Sequence, residues 1–118
     1  MKTIFIVDDN ELILELIEAF LEPHYQVVTF NNGLQAIEAA LASPPDLLLV
    51  DHRMPGMDGI EVCQQLKNHP QSTTVPVIML SASATEHEIL KARQAGIDDY
   101  LSKPFNENSL LILQRYLG

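Results

Sequence analysis

Short apolar runs alternate with amphipathic stretches five times along the 118 residues, and few architectures accommodate that pattern. The clearest run is Leu47-Leu48-Leu49-Val50. It has no polar break, so it reads as a strand buried on both faces, which is what a parallel sheet demands. Residues 4–7, 27–30, 75–80 and 98–101 read as the other four strands. Strands separated by helices argue a parallel sheet covered by helices on both faces, an α/β fold.

The intervening stretches carry helix punctuation. Asn10 can cap a helix over residues 11–22, in which Leu12, Leu16 and Phe20 share a stripe with Ile13 and Ile17. Glu11, Glu15, Glu18 and Glu22 form a second stripe, read as a solvated face, and Pro23 stops the helix. Asn31-Asn32-Gly33 opens a second helix whose expected buried face is Leu34, Ile37 and Leu41. Met54-Pro55-Gly56 makes a tight loop, and Asp58 with Glu61 has capping-box spacing ahead of Ile60, Cys63 and Leu66. Thr85 with Glu88 has the same spacing, and Gly96 suits a left-handed helix end. Asn106 can cap a last helix with Leu110, Leu113 and Leu117 facing inward.

Length and composition predict one domain, residues 1–118, with 47% hydrophobic residues to build its core. The formal charge of −9 removes the basic footprint that direct nucleic-acid binding needs. A single cysteine, Cys63, allows no internal disulfide and reads as a small core residue. The first residues do not resemble a signal peptide and no apolar run has membrane-spanning length, so the expectation is a cytoplasmic protein without membrane contact.

Polar residues sit where the apolar runs stop: Asp8-Asp9 after the first, Asp51 after the third, Ser81 after the fourth and Lys103 after the fifth. In a parallel sheet these ends share one edge, where open α/β folds place their ligands. Three carboxylates, a hydroxyl and an ammonium therefore converge. Crowded carboxylates raise one another's pKa values, and a hard cation such as Mg²⁺ relieves that. An Asp beside a cation, a lysine and a hydroxyl is suited to accepting a phosphoryl group. His52 follows Asp51 on extended chain and should point away from it, as a packing or surface residue.

The motifs Val7-Asp8-Asp9-Asn10, Asp51 followed by Met54-Pro55-Gly56-Met57-Asp58-Gly59, Ser81-Ala82 and Lys103-Pro104-Phe105 together resemble a response-regulator receiver domain of two-component signalling, over essentially the whole chain. The resemblance implies a doubly wound (βα)5 fold with a five-stranded parallel sheet in the flavodoxin-like order 2-1-3-4-5. It implies Asp51 as phosphoacceptor, and Mg²⁺ (with Mn²⁺ as a substitute) held by Asp8, Asp9, Asp51 and the backbone carbonyl of Arg53. Ser81, the amide of Ala82 and Lys103 would contact the phosphoryl group, Tyr100 would be an aromatic switch, and the Lys103–Pro104 bond would be cis. The donor would be a histidine kinase or histidine phosphotransfer protein. The domain would catalyse only its own phosphorylation and dephosphorylation. Its fourth helix, last strand and last helix would bind an output partner or a second copy. A free-standing regulator and a segment of a longer protein both fit.

His52, Arg53 and Ser83 depart from the commoner family pattern. The positions of Arg53 and Ser83 tune phosphorylated-state lifetime and donor access in the family, so Arg53 is expected to alter that lifetime. A haloacid-dehalogenase-like phosphatase would want a carboxylate two residues after Asp51, where Arg53 stands. A flavin module would want a hydroxyl- and glycine-rich loop in place of Asp8-Asp9. The remaining alternative is a degenerate receiver serving as a phosphorylation-independent interaction module.

Overall fold

The computed structural model describes residues 1–82 and 85–118. Its elements alternate as β1 (Thr3–Val7), α1 (Glu11–Leu21), β2 (Gln26–Phe30), α2 (Gly33–Ala42), β3 (Leu47–Asp51), α3 (Gly59–Lys67), β4 (Val77–Ser81), α4 (Glu86–Gln94), β5 (Asp99–Ser102) and α5 (Glu107–Leu117). The strands form one parallel sheet in the order β2-β1-β3-β4-β5. Every residue of β3 and β4 is buried, which accounts for their uninterrupted apolar runs. β2 lies at an edge with no fully buried residue, and its sequence is correspondingly less apolar.

Side chains alternate between two cores because successive strand residues point to opposite faces. Phe5, Val7, Leu48, Val50, Val77 and Met79 meet Ile37 of α2, Val62, Cys63 and Leu66 of α3 and Ala92 of α4. Ile4, Ile6, Leu47, Leu49, Ile78 and Leu80 meet Leu14, Ile17 and Leu21 of α1 and Leu113 and Leu117 of α5. Cys63 is fully buried, and burial pushes its thiol up to about 11, so it stays protonated as a packing group.

Two helices bury only part of the expected faces, Ile17 in α1 and Ile37 in α2. α1 buries Leu14, Ile17 and Leu21, while Leu12 and Leu16 are exposed. The two apolar stripes are neighbours on the helix, and only the one over the sheet is covered. Part of the other, with Phe20, borders a groove of about 280 Å³ also lined by Leu80, Lys103, Pro104 and Phe105. α2 buries Ala36, Ile37 and Ala40, and leaves Leu34 exposed and Leu41 half-buried. Ala36 and Ala40 make the closest face of α2, Leu41 packs at its margin, and Leu34 falls outside the contact. In α5 Leu113 and Leu117 are buried, and Leu110 is half-covered.

Asn10, Asn32, Asp58, Thr85 and Asn106 all accept backbone N–H bonds at helix starts. Asp58 and Glu61 close a full capping box. At α4 only half forms: Thr85 Oγ1 accepts the Glu88 N–H at 3.1 Å, and the Glu88 carboxylate points elsewhere.

α3 starts directly against the end of β3. The Gly59 N–H donates to the His52 carbonyl at 2.9 Å, and a Cβ at Gly59 would lie 2.6 Å from the Asp51 carbonyl oxygen. Backbone cannot move aside as a flexible side chain can. Gly59→Ala should therefore lower unfolding free energy by about 1–3 kcal/mol, measured by urea denaturation. An unchanged midpoint would show that the contact is slack.

Candidate functional site

The carboxyl ends of four strands meet at one edge of the sheet. β1 delivers Asp8 and Asp9, β3 ends on Asp51, β4 ends on Ser81, and β5 leads into Lys103. Parallel pairing sets Val7 beside Val50 and Asp51 beside Leu80, so the polar groups share one level. Lys103 is tied there by its backbone: its N–H donates to the Ser81 carbonyl at 2.8 Å, and the Lys103–Pro104 peptide is cis.

The carboxylates of Asp8, Asp9 and Asp51 each place an oxygen within 4.8 Å of the others. Asp8 is buried, with Oδ1 accepting from the Asn10 N–H at 2.9 Å. Its Oδ2 is buried without a hydrogen-bond partner among the described residues. Burial foremost, then Asp51 and Asp9, raise the Asp8 pKa from 3.8 to about 6, against the opposing pull of the Asn10 N–H and Lys103. Lys103 Nζ lies 2.7 Å from Asp51 Oδ1 and 3.9 Å from Asp8 Oδ2. A buried oxygen with no hydrogen-bond partner among the described residues, amid three carboxylates, fits a divalent cation such as Mg²⁺, which Asp8, Asp9 and Asp51 could hold.

Beside this cluster lies a cavity of about 90 Å³ lined by Asp51, His52, Arg53, Ser81, Ala82 and Lys103. Ser81 is buried and Ala82 exposed. Tyr100 pairs with Met79 in the ladder and packs half-buried against the α3-side core.

His52 is buried, in keeping with the reading of it as a packing residue. The register that pairs Asp51 with Leu80 brings His52 beside Ser81. Its Nδ1 lies 3.5 Å from Ser81 Oγ, and it lines the cavity. Knowing the register would have revealed this neighbour. Arg53 extends over the same cavity and pairs with Glu88 of α4 at 2.9 Å. Nothing in the sequence signalled that contact. Ser83 lies outside the described residues.

The response regulator receiver domain model matches residues 4–114. The chain belongs to the receiver-domain family. Among curated relatives, it is 40% identical over 106 residues to the alkaline phosphatase synthesis transcriptional regulatory protein PhoP of Bacillus subtilis, covering 89% of this chain and 43% of that protein. It is 42% identical over 116 residues to the signal transduction histidine-protein kinase BarA of Escherichia coli, covering 97% of this chain and 13% of that one. The receiver thus spans less than half the length of either relative. The crystal structure of the receiver domain of the Pseudomonas aeruginosa sensor histidine kinase PA1611, which has magnesium coordinated in its active-site cleft, superposes with a TM-score of 0.90. It is 35% identical, with 99% of this chain and 98% of that one covered. The observed strand order is the one that the family resemblance implies. No helix among the described residues is long and apolar enough to cross a membrane.

Proposed function

We propose that residues 1–118 form a working receiver in which Asp51 accepts a phosphoryl group from a phosphohistidine on a histidine kinase or phosphotransfer protein. The observation that carries this is the Lys103–Asp51 contact at 2.7 Å beside a buried Asp8 oxygen that has no hydrogen-bond partner among the described residues. Asp8, Asp9, Asp51 and the Arg53 carbonyl would hold Mg²⁺, with Mn²⁺ as a substitute. The cation supplies charge neutralisation at the phosphoryl oxygens.

An Asp51 carboxylate oxygen attacks phosphorus. The bond from phosphorus to the donor breaks, and the leaving group keeps the electron pair: imidazole from phosphohistidine, acetate from acetyl phosphate. Lys103 balances charge on the transferring group. The Ser81 hydroxyl and the Ala82 N–H donate to its oxygens. Water later attacks the acyl phosphate and returns Asp51 to a carboxylate. The domain is an acceptor acting on itself, not an enzyme that turns over a metabolite.

Ser81 drawn to the phosphoryl group leaves room for Tyr100 to turn inward, biasing two arrangements of the face built by α4, β5 and α5. That face binds an output partner or domain, or a second copy of the chain, in the cytoplasm. Addition of acetyl phosphate to the protein already saturated with Mg²⁺ should shift amide NMR resonances around Asp51 and along α4, β5 and α5, and should shift none in Asp51→Asn. Identical spectra before and after addition to the wild type would favour the degenerate interaction module.

A further inference from the structure

Glu88 occupies the position from which a capping-box side chain returns to its own helix start, yet its carboxylate leaves that role. Oε1 accepts from Arg53 Nη2 at 2.9 Å, and Oε2 is buried without a hydrogen-bond partner among the described residues. Arg53 is the cation at the rim of the cavity that Asp51, Ser81 and Lys103 line. Its side chain is 74% exposed, so the pair is solvent-screened and readily exchanged. α4 is lightly anchored: Ala92 is its one fully buried residue among those described.

We propose that Glu88 is a built-in anion that occupies Arg53 until a phosphoryl group arrives. This rests on the phosphoacceptor reading of Asp51. A donor phosphate carries the same kind of charge as the Glu88 carboxylate and approaches the same rim. The two anions compete for one guanidinium. When the donor wins, the contact between the β3–α3 loop and the first turn of α4 is released. Glu88 is thus a positioning residue. It sets how freely Arg53 attracts the donor, and it couples phosphoryl arrival to the start of α4.

The test is a mutant cycle of Arg53→Asn, Glu88→Gln and the double variant. Its readout is the second-order rate of Asp51 phosphorylation by acetyl phosphate at saturating Mg²⁺. Glu88→Gln should raise that rate about two- to fivefold, the range of an exposed ion pair. Arg53→Asn should lower it, and the double variant should match Arg53→Asn alone. The Glu88→Gln gain should be smaller with phosphoramidate, which bears less negative charge, and should shrink at high salt. A general structural disturbance would instead affect both donors equally and at any ionic strength. An unchanged rate in Glu88→Gln, or the same gain with and without Arg53, would overturn this proposal while leaving Asp51 as acceptor. A wild type that gains no phosphoryl group at Asp51 would overturn the acceptor reading and this proposal together.

Discussion

Asp8→Asn should stabilise the fold in the absence of divalent cations. The native carboxyl is buried beside two others, and its pKa is raised from 3.8 to about 6. The folded state therefore binds this proton more tightly than the unfolded chain does. Folding stability falls as pH rises from the unfolded value through about 6 and stays low above it. The shift corresponds to a cost of about 3 kcal/mol at neutral pH. Asparagine removes the charge, and its oxygen can keep the bond from the Asn10 N–H. A gain of about 2 kcal/mol is expected at pH 7.5, vanishing near pH 4. Mg²⁺ should raise the thermal midpoint of the wild type and barely move that of the variant. Urea and thermal unfolding at the two pH values, with and without Mg²⁺, check both parts. A destabilised variant at pH 7.5, or a full Mg²⁺ response, would contradict the assignment.

Lys103→Met should slow phosphorylation by acetyl phosphate about 100-fold, the scale on which a positioned charge stabilises a transition state. Methionine keeps most of the chain's bulk and loses the ammonium 2.7 Å from Asp51. The fold should survive, because Lys103 is fixed by its backbone bond to Ser81 and its side chain remains partly exposed. Rate constants from intact mass against time would measure the effect. A change of less than threefold would remove Lys103 from the phosphoryl-binding set.

The strands were legible because β3 and β4 are covered on both faces, and that burial writes itself as consecutive apolar residues. The edge of the site followed from the same reading: parallel strands put Asp8, Asp51, Ser81 and Lys103 on one side of the sheet. Helix facing was less legible. In α1, Leu12 and Leu16 are as apolar as Leu14, Ile17 and Leu21, so periodicity alone cannot say which stripe meets the sheet. The burial of His52 agrees with its reading as a packing residue, but its neighbour Ser81 was not legible, because that contact depends on pairing between strands. The Arg53–Glu88 pair joins residues 35 apart, and the capping-box spacing of Thr85 and Glu88 pointed to a local bond instead. Local rules read local structure; contacts made by register and helix placement need the assembled fold.

The most direct test of Asp51 as acceptor is intact mass after incubation with acetyl phosphate and Mg²⁺, for the wild type and Asp51→Asn. A gain of about 80 Da in the wild type, one phosphoryl group on a nucleophilic carboxylate, is expected, and it should be absent from the variant and absent when the cation is chelated. An equal gain in Asp51→Asn would place the phosphoryl group elsewhere, and no gain in the wild type would contradict the account.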